Sequence, residues 1–490
     1  MLNRRKLLAF GGVAVGGALV VPESVRRTAA AAAEPPGMHG IHRRHLHQAG
    51  TIRPHAGVPE FSVQMPIPKV LLPFKGDPDI DFYRVAIKQA NAEILPGVQT
   101  PVMTYNGDFV GPTIRARTGR PVSITFANQL TQDANVHLHG GHVPPSSDGH
   151  PMDLIAPGGY RTYAYPNRQQ GATLWYHAHS HHTEAEHVYN GQHAFYIVDD
   201  PAEASLKLPS GKYDVPIMLR DALFDESGKL DFLSPPPFRN VDLANGRPQP
   251  FFPVAARKYR FRFLNSATER NYILNLGGVD MIQIASDGGL LPVPVPRKEF
   301  RLSSGERIDI VIDFSKFPVG TKLVLGDVQR PVLRFDVTSK AIDDSRVPDT
   351  LRALPGLATP TFERTVDMKT VFNGEIPDGV INGKIFDPNR VDFQIKRGTT
   401  EIWNIVNGDS AEGWAHNFHM HLVQFRVLSR AGRPPEPDDR GRKDTIMLPA
   451  NEPVRIQATF DGDFTGRYVY HCHFLEHSSI GMMGQMEITP

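Results

Sequence analysis

Histidines are the residues of this chain with the most informative spacing. The 490 residues contain 21 histidines and one cysteine, Cys472. On a β-strand, residues i and i+2 point to the same face, with a rise of roughly 6.6 Å between them. Among the histidine pairs with this spacing, four lie in the motifs HLHGGH, WYHAH, HNFHMH and HCH, and each is predicted to aim two imidazoles at one side. The pairs are His137 with His139, His177 with His179, His419 with His421, and His471 with His473.

Together the four pairs predict one multinuclear metal site between the first and last parts of the chain. Neutral imidazoles without clustered thiolates or carboxylates suit copper better than calcium or an iron–sulfur cluster. Zinc also accepts histidine and cysteine, but it rarely needs so many histidines. Six further histidines are interpreted as supporting or surface residues, with His181 kept as an alternative to His179. They are His142, His150, His181, His182, His187 and His193.

Cys472 predicts a second site. It lies between His471 and His473, so on a strand its sulfur faces away from their rings. Two histidines, one cysteine and a weak methionine ligand form the trigonal arrangement of a blue-copper centre. Met482 is a better candidate than Met483, because it lies five residues beyond the last histidine on a short loop. The predicted ligands are His416, Cys472, His477 and Met482. An electron leaving the thiolate would reach either flanking histidine over a path on the order of 10 Å.

Short strands with alternating apolar residues must hold these motifs. Val122, Ile124 and Phe126 fall on one face of such a strand, and Ser123 and Thr125 fall on the other. This is the pattern of a half-buried β-strand. The same ten-residue segment recurs twice, and its final asparagines are 137 and 142 residues apart. The copies are 119–128, 256–265 and 398–407, ending in Asn128, Asn265 and Asn407.

A repeat of this length predicts three similar domains. In the second copy, three aromatic residues alternate with Arg260 and Arg262, which predicts one apolar and one charged face. Many turns and little helical periodicity favour an all-β chain of three Greek-key sandwiches or barrels. Only the middle unit lacks the histidine motifs. The predicted domains are 60–202, 203–360 and 361–490.

The amino terminus reads as an export signal. Arg4, Arg5 and Lys6 precede an apolar run over 7–21 and an alanine tract over 29–33. The run is too short to span a bilayer. Paired arginines favour the twin-arginine route, with an ordinary secretory signal as the alternative. Residues 1–33 are therefore the predicted signal, and 34–59 a mobile histidine-containing arm. The protein is expected to be exported, either outside the cell or in the periplasm or envelope.

The charge balance excludes some partners. There are 53 basic and 52 acidic side chains, for a net charge of +1. Nucleic acids and anionic membranes need a concentrated basic surface, so neither is expected as the main partner. The sequence gives no prediction for the oligomeric state.

At four motifs the chain resembles the multicopper oxidases, in particular three-domain bacterial laccases of the spore-coat and bilirubin-oxidase type. The motifs are HLHGG followed by SDG, WYHAH, HNFHMHLVQF and HCHFLEH. The resemblance runs from about residue 60 to the end. It implies three cupredoxin-like domains and four copper ions. It assigns His416, Cys472, His477 and Met482 to type 1 copper, His137 and His419 to type 2, and His139, His177, His179, His421, His471 and His473 to the type 3 pair.

The resemblance also implies an activity. One-electron oxidation of phenols or aromatic amines at type 1 copper would be coupled to four-electron reduction of dioxygen to water at the trinuclear cluster. One alternative is a metallo-oxidase acting on Cu(I) or Mn(II), although similar metallo-oxidases often carry a Met-rich insertion and the 13 methionines here are scattered. A second is a copper-free cupredoxin scaffold of the cell envelope.

Dioxygen reduction needs protons close to the cluster. Asp148, in the SDG that follows the first pair, looks like the carboxylate that supplies them in similar laccases. The alternative interpretation is a plain turn aspartate before Gly149. Ser478 follows His477 where similar bacterial laccases often carry an acid, which puts a second proton path in doubt. Glu476 is the remaining candidate for a supporting carboxylate.

Overall fold

The structure is a computed structural model that describes residues 57–76, 78–328, 330–374 and 377–490. The predicted export signal and nearly all of the predicted arm lie outside the described residues. Strands hold 47% of the described residues and helices 8%, which confirms the all-β prediction. No helix in the described ranges is long and apolar enough to cross a membrane.

The strands form six sheets, two in each of three consecutive domains. The first domain contains β1 Lys75–Gly76, β2 Asp81–Glu93, β3 Gln99–Tyr105, β4 Ile114–Arg117, β5 Val122–Asn128, β6 His137–His139, β7 Tyr160–Tyr165, β8 Ala172–His177 and β9 His193–Asp199. Its sheet orders are β1-β2-β5-β7, with β3 on β2, and β4-β9-β8-β6.

The second domain contains β10 Asp214–Ala222, β11 Val241–Ala244, β12 Arg247–Pro248, β13 Phe251–Ala256, β14 Lys258–Asn265, β15 Tyr272–Asn275, β16 Met281–Ser286, β17 Gly289–Arg297, β18 Glu299–Leu302, β19 Arg307–Asp313, β20 Lys322–Asp327 and β21 Pro331–Lys340. Its sheet orders are β12-β11-β10-β14-β19-β16-β17 and β13-β21-β20-β15-β18.

The third domain contains β22 Phe362–Val371, β23 Asp378–Ile381, β24 Phe393–Lys396, β25 Thr400–Asn407, β26 His416–Met420, β27 Arg426–Arg430, β28 Thr445–Leu448, β29 Val454–Thr459, β30 Gly466–His471 and β31 Met483–Thr489. Its sheet orders are β23-β22-β25-β29-β27 and β24-β31-β30-β26-β28. The described chain also contains two short α-helices, α1 Glu184–Tyr189 and α2 Leu475–Ser479. Its seven 3₁₀ helices are Pro145–Ser147, Pro201–Leu206, Gly211–Tyr213, Pro236–Phe238, Phe314–Lys316, Ser410–Glu412 and Pro437–Arg440. The boundaries predicted near 203 and 360 fall between β9 and β10 and between β21 and β22.

The predicted repeat is visible in both pairing and hydrogen bonding. Each of its three strands has one parallel partner: β5 pairs with β2, β14 with β10 and β25 with β22. Each final asparagine is buried, and its Oδ1 accepts from the backbone N–H two residues further on. Each Nδ2 donates to a distant carbonyl, namely Asn128 to Ile155, Asn265 to Leu302 and Asn407 to Leu448. In each domain the asparagine therefore ties the loop that follows its strand to a distant segment of the chain.

Strand β14 departs from the predicted alternation. Its aromatic face packs in the core of the second domain as expected, but Arg260 and Arg262 are buried too. The reason is the neighbouring first domain, because Arg262 Nη1 reaches Thr173 Oγ1 at 3.0 Å. Asp309 and Asp214 pair with the two arginines and compensate their desolvation. The charged face of this strand is thus an interface between domains.

Candidate metal centre

Antiparallel pairing brings the predicted histidine pairs together within each outer domain. In the first domain, β6 places His137 opposite His177 of β8. In the third domain, β26 places His419 opposite His471 of β30. The ring centroids within the four pairs are 4.9 to 5.9 Å apart. The same-face prediction from the i, i+2 spacing is therefore reproduced in the structure.

The two domains then meet at these histidines. His137 stacks on His421 with centroids 3.8 Å apart, and His139 stacks on His419 at 3.7 Å. His421 Nε2 lies 3.3 Å from the Nε2 atoms of both His179 and His471. All eight paired histidines are 0 to 1% exposed. We call these eight residues the histidine cluster.

Each ring of the histidine cluster has one nitrogen bonded to the protein. Seven rings donate through Nδ1. Four of them donate to a backbone carbonyl: His137 to Asp148, His177 to Ala178, His419 to Asp444 and His471 to Cys472. The other three donate to a side-chain oxygen: His179 to Glu184 Oε2, His421 to Asp148 Oδ2 and His473 to Ser304 Oγ. The eighth, His139, instead donates through Nε2 to Asp444 Oδ1 at 3.0 Å.

The second ring nitrogen of each cluster histidine faces the other rings and carries no proton. Within the described chain, five have no hydrogen-bond partner, namely Nε2 of His137, His177, His419 and His473 and Nδ1 of His139. The other three are the Nε2 atoms that lie 3.3 Å apart, and each carries a lone pair because its Nδ1 holds the proton. Lone pairs this close repel unless a cation lies among them. The donor set therefore fits metal ions.

Burial keeps these rings neutral. It lowers the pKa of all eight cluster histidines, and the neighbouring imidazoles lower most of them further. The pKa values of His179 and His471 fall to about 3. A neutral imidazole with a free lone pair is the form that binds a metal ion. The cluster is thus ready to bind metal at neutral pH.

The structure also brings together the residues of the predicted second site. Cys472 Sγ lies 3.8 Å from His416 Nδ1 and 3.6 Å from His477 Nδ1, and these two nitrogens are 3.1 Å apart. His416 Nε2 donates to Asp409 Oδ2 at 3.0 Å, which leaves Nδ1 as its free nitrogen. Burial raises the pKa of the Cys472 thiol to about 12, so a thiolate here needs a bound cation.

The structure separates the two candidate methionines. Met482 is buried in the same apolar cluster as Cys472, and its backbone carbonyl accepts from the Cys472 N–H at 3.1 Å. Met483 packs in a different cluster, with Phe386 and Val469. Adjacent residues of an extended chain point to opposite sides, and this places only Met482 on the Cys472 side. The sequence preference for Met482 agrees with this arrangement.

Asp148 lies at the edge of the histidine cluster. Its Oδ2 accepts from His421 Nδ1 at 2.7 Å, and its Oδ1 is buried without a hydrogen-bond partner in the described chain. Burial raises the pKa of this carboxyl well above its ordinary value. Gly149 follows with φ +80°, and a Cβ there would lie 2.0 Å from Val136 O. The SDG motif therefore places a carboxyl against the cluster as well as forming a turn.

Glu476 lies elsewhere. Its Oε1 accepts from Arg239 Nη2 at 2.8 Å and from Thr268 Oγ1 at 2.7 Å, both in the second domain. None of its described hydrogen bonds reaches a cluster histidine. Its described contacts therefore join two domains at the start of α2.

The sequence analysis missed Glu184. This residue begins α1, is fully buried, and accepts from His179 Nδ1 and from Ser478 Oγ. Burial raises its pKa to about 7. The position after His477 thus carries a hydroxyl that meets a carboxylate from the first domain. Glu184 follows His179 by five residues, and this spacing was the available signal in the sequence. The spacing alone does not distinguish Glu184 from other nearby carboxylates.

The alternative register with His181 is not adopted. His179 contributes its Nε2 to the histidine cluster, whereas the His181 ring contacts His182 and meets Phe386 edge to face. Phe386 lies in the third domain. His181 belongs to none of the groups of possible metal ligands among the described residues. The ligand groups contain only histidines that the sequence analysis chose, together with Cys472 and Asp444.

Comparison with known proteins identifies the family. Residues 86–203 and 353–490 each match a family model described as multicopper oxidase. The laccase of Bacillus subtilis (strain 168) is 36% identical, with 88% of this chain and 98% of the laccase covered. This chain belongs to the multicopper oxidase family. The bilirubin oxidase of Albifimbria verrucaria is 34% identical over 88% of this chain and 82% of that enzyme. A crystal structure of a laccase from Pediococcus acidilactici has a TM-score of 0.83 at 31% identity and covers 91% of this chain and 97% of that one.

This multicopper oxidase is a copper-dependent oxidoreductase of laccase-like type that uses dioxygen. The predictions of family, cofactor and oxygen as acceptor are confirmed. Copper would be held by the residues of the Cys472 site and by the histidine cluster, where it would supply one-electron redox chemistry and the capacity for dioxygen reduction. The protein contributes a backbone in which Cys472 is covalently continuous with His471 and His473. The division of the ligands among type 1, type 2 and type 3 copper stays a prediction.

Proposed function

We propose that this multicopper oxidase takes electrons one at a time from phenols or aromatic amines outside the cytoplasm. The observation that supports an external donor is the partial exposure of the Cys472 site. His477 is partly exposed, while His416, Cys472 and Met482 are buried. A donor that stays outside the protein can therefore approach this site along the His477 ring.

Aromatic side chains lie close to this site. The β22–β23 hairpin covers it, because Gly379 N donates to Ile480 O at 2.9 Å and Thr370 N donates to the Asp409 carboxylate that holds His416. Phe372, at the start of the hairpin turn, is 46% exposed. Its ring lies 5.9 Å from that of Trp414, two residues before His416. An exposed Phe372 ring that packs beside the buried Trp414 favours a flat, apolar donor.

Replacing Phe372 with alanine tests the donor class. We expect KM for a dimethoxyphenol to rise about 3- to 10-fold while kcat stays nearly constant, because the lost contact binds the donor without taking part in electron transfer. Phe362→Ala is the matched control, since Phe362 is 55% exposed at the opposite end of β22. Dioxygen uptake measures both variants. An equal change in the two variants, or a fall in kcat alone, would contradict a donor site at Phe372.

Metal ions are the competing donors. The same uptake assay with Cu(I) and Mn(II) compares kcat/KM for each ion with that for the phenol. A larger value for either ion would replace the aromatic donor with the metallo-oxidase alternative. The scattered methionines and the exposed Phe372 ring favour the phenol.

Export is supported by the sequence of residues 1–33. The paired Arg4 and Arg5 precede an apolar run that is too short to span a membrane. In a bacterial host, the full chain is expected to reach the periplasm with its first residues removed. Changing Arg4 and Arg5 to lysine should leave at least about nine-tenths of the protein inside, since the twin-arginine route reads that pair. Cell fractionation measures this, and unchanged export would point to an ordinary secretory signal.

A further inference from the structure

The second domain supplies none of the predicted copper ligands, yet one of its turns lies against the histidine cluster. Residues 303–306 join β18 to β19, and Ser304 Oγ lies 3.3 Å from His473 Nδ1. Arg307 begins β19, and its side chain is fully buried. A buried guanidinium needs protein partners for all five of its N–H donors.

Arg307 finds these partners in all three domains. Nε donates to Thr173 O of the first domain at 2.8 Å. Within the second domain, Nη1 donates to Gly305 O at 3.0 Å and Nη2 donates to Asp287 O at 3.2 Å. Nη1 and Nη2 also donate to the two carboxylate oxygens of Asp444 in the third domain, both at 2.6 Å. This two-point pairing fixes the plane of the Asp444 carboxylate.

Asp444 in turn contacts one histidine from each outer domain. Its Oδ1 accepts from His139 Nε2 at 3.0 Å, and its backbone carbonyl accepts from His419 Nδ1 at 2.8 Å. His139 is the one cluster histidine that faces its partners through Nδ1, because its Nε2 is bonded to Asp444 and Thr445. The orientation of this ring therefore depends on where the Asp444 carboxylate is held.

The first domain leaves room for this ion pair. Gly140 directly follows His139 and has φ +82°. A Cβ at this position would lie 2.7 Å from both Arg307 Nη2 and Asp444 Oδ2. Any side chain here would displace the pair. The first glycine of the HLHGG motif thus admits two residues from the other domains to the edge of the histidine cluster.

We infer that Arg307 is a positioning residue for the copper cluster, acting through Asp444 to fix the orientation of His139 and His419. This role rests on the copper-oxidase assignment and is independent of the electron donor. It makes the second domain part of the oxygen site, although that domain has no predicted ligand. Lysine is a poor substitute, because a single ammonium cannot pair with both carboxylate oxygens in one plane.

Arg307→Lys and Arg262→Lys are compared as copper-loaded proteins. Arg262 is a matched control, because it is a buried arginine of the same domain that pairs with both oxygens of Asp214 at 2.6 and 2.9 Å. It also contacts the first domain at Thr173. None of its described hydrogen bonds reaches a cluster histidine. Both substitutions therefore remove a buried two-point ion pair, but only one of these pairs holds Asp444.

In Arg307→Lys we expect the copper affinity of the cluster to fall about 10- to 100-fold. The readouts are the copper bound per chain at limiting copper and the paramagnetic resonance signal of the copper outside the blue site. The blue absorption stays at the level of the unchanged protein, and Arg262→Lys keeps both properties. Loss of the blue absorption together with the cluster copper, or an equal loss in Arg262→Lys, would indicate a general folding role and overturn the inference.

A double variant tests whether Arg307 acts through Asp444. Asp444→Asn keeps the size of the side chain and removes the two-point ion pair. Adding Arg307→Lys to Asp444→Asn should weaken copper binding no further, because the two residues act as one unit. Additive losses would overturn the inference. Failure of the proposed function would appear separately, as the absence of phenol oxidation by the unchanged protein with its full copper content.

Discussion

Replacing Cys472 with serine is expected to remove the intense blue colour and reduce oxidase turnover to the uncatalysed background. The buried Sγ is the predicted soft ligand of its site and lies within 3.8 Å of Nδ1 of both His416 and His477. A serine hydroxyl is nearly the same size, but it does not supply an anionic sulfur ligand. Cys472 also provides the covalent connection to His471 and His473. Both the colour and the path for electrons therefore depend on one atom.

Copper analysis, the visible spectrum and dioxygen uptake are measured together on Cys472→Ser. Bound copper should fall by one ion from the four-copper arrangement, since the histidine cluster keeps all of its own residues. Circular dichroism should be unchanged. Met483→Leu is the matched control, because Met483 is buried beside the same turn but packs in another cluster. Turnover retained by the serine variant would refute the assignment of Cys472 as the route for electrons.

Asp148→Asn is expected to slow dioxygen reduction by about 100-fold or more while substrate oxidation changes little. The amide can still accept from His421 Nδ1, so the ring stays in place. It cannot release a proton, whereas the buried Asp148 carboxyl has an unpartnered Oδ1 among the described residues and a raised pKa. Lost proton delivery from a positioned group typically costs 10²- to 10⁴-fold. The effect should therefore fall on the half-reaction that consumes protons.

Stopped-flow measurements separate the two half-reactions. Anaerobic mixing with a phenol follows bleaching of the blue colour, and mixing the reduced protein with dioxygen follows its return. Asp153→Asn is the control, because Asp153 is a partly exposed carboxylate in the same loop that pairs with Arg161. Equal slowing of both half-reactions by Asp148→Asn would contradict proton delivery by Asp148 and support the alternative that it is a turn residue.

Local spacing predicted most of the site and the class of fold. The i, i+2 rule explains why His137 and His139 share a face and why Cys472 faces away from His471. The length and polarity pattern of β5, repeated in β14 and β25, predicted three similar domains. These predictions depend on geometry that extends over a few residues, and such geometry follows directly from the local sequence.

Contacts between domains could not be predicted in the same way. Glu184 meets Ser478 across 294 residues, and Arg307 meets Asp444 across 137. Arg262 looked like the exposed face of a strand, but it is buried because another domain packs on it. Glu476 was the remaining candidate for a supporting carboxylate, yet its described hydrogen bonds lead to the second domain. Adjacency in sequence does not determine the direction of a side chain once the chain turns into a helix.

The sequence by itself determined the metal chemistry, since the types and local spacing of histidine and cysteine limit which ions the chain can bind and which face each ligand takes. Only the tertiary structure decided which carboxylates and which guanidinium hold those ligands. The two histidines of a ligand pair are separated by one residue, so their relative geometry is set mainly by covalent bonds. Its supporting residues are held by packing between domains, which brings together parts of the chain that no local pattern relates.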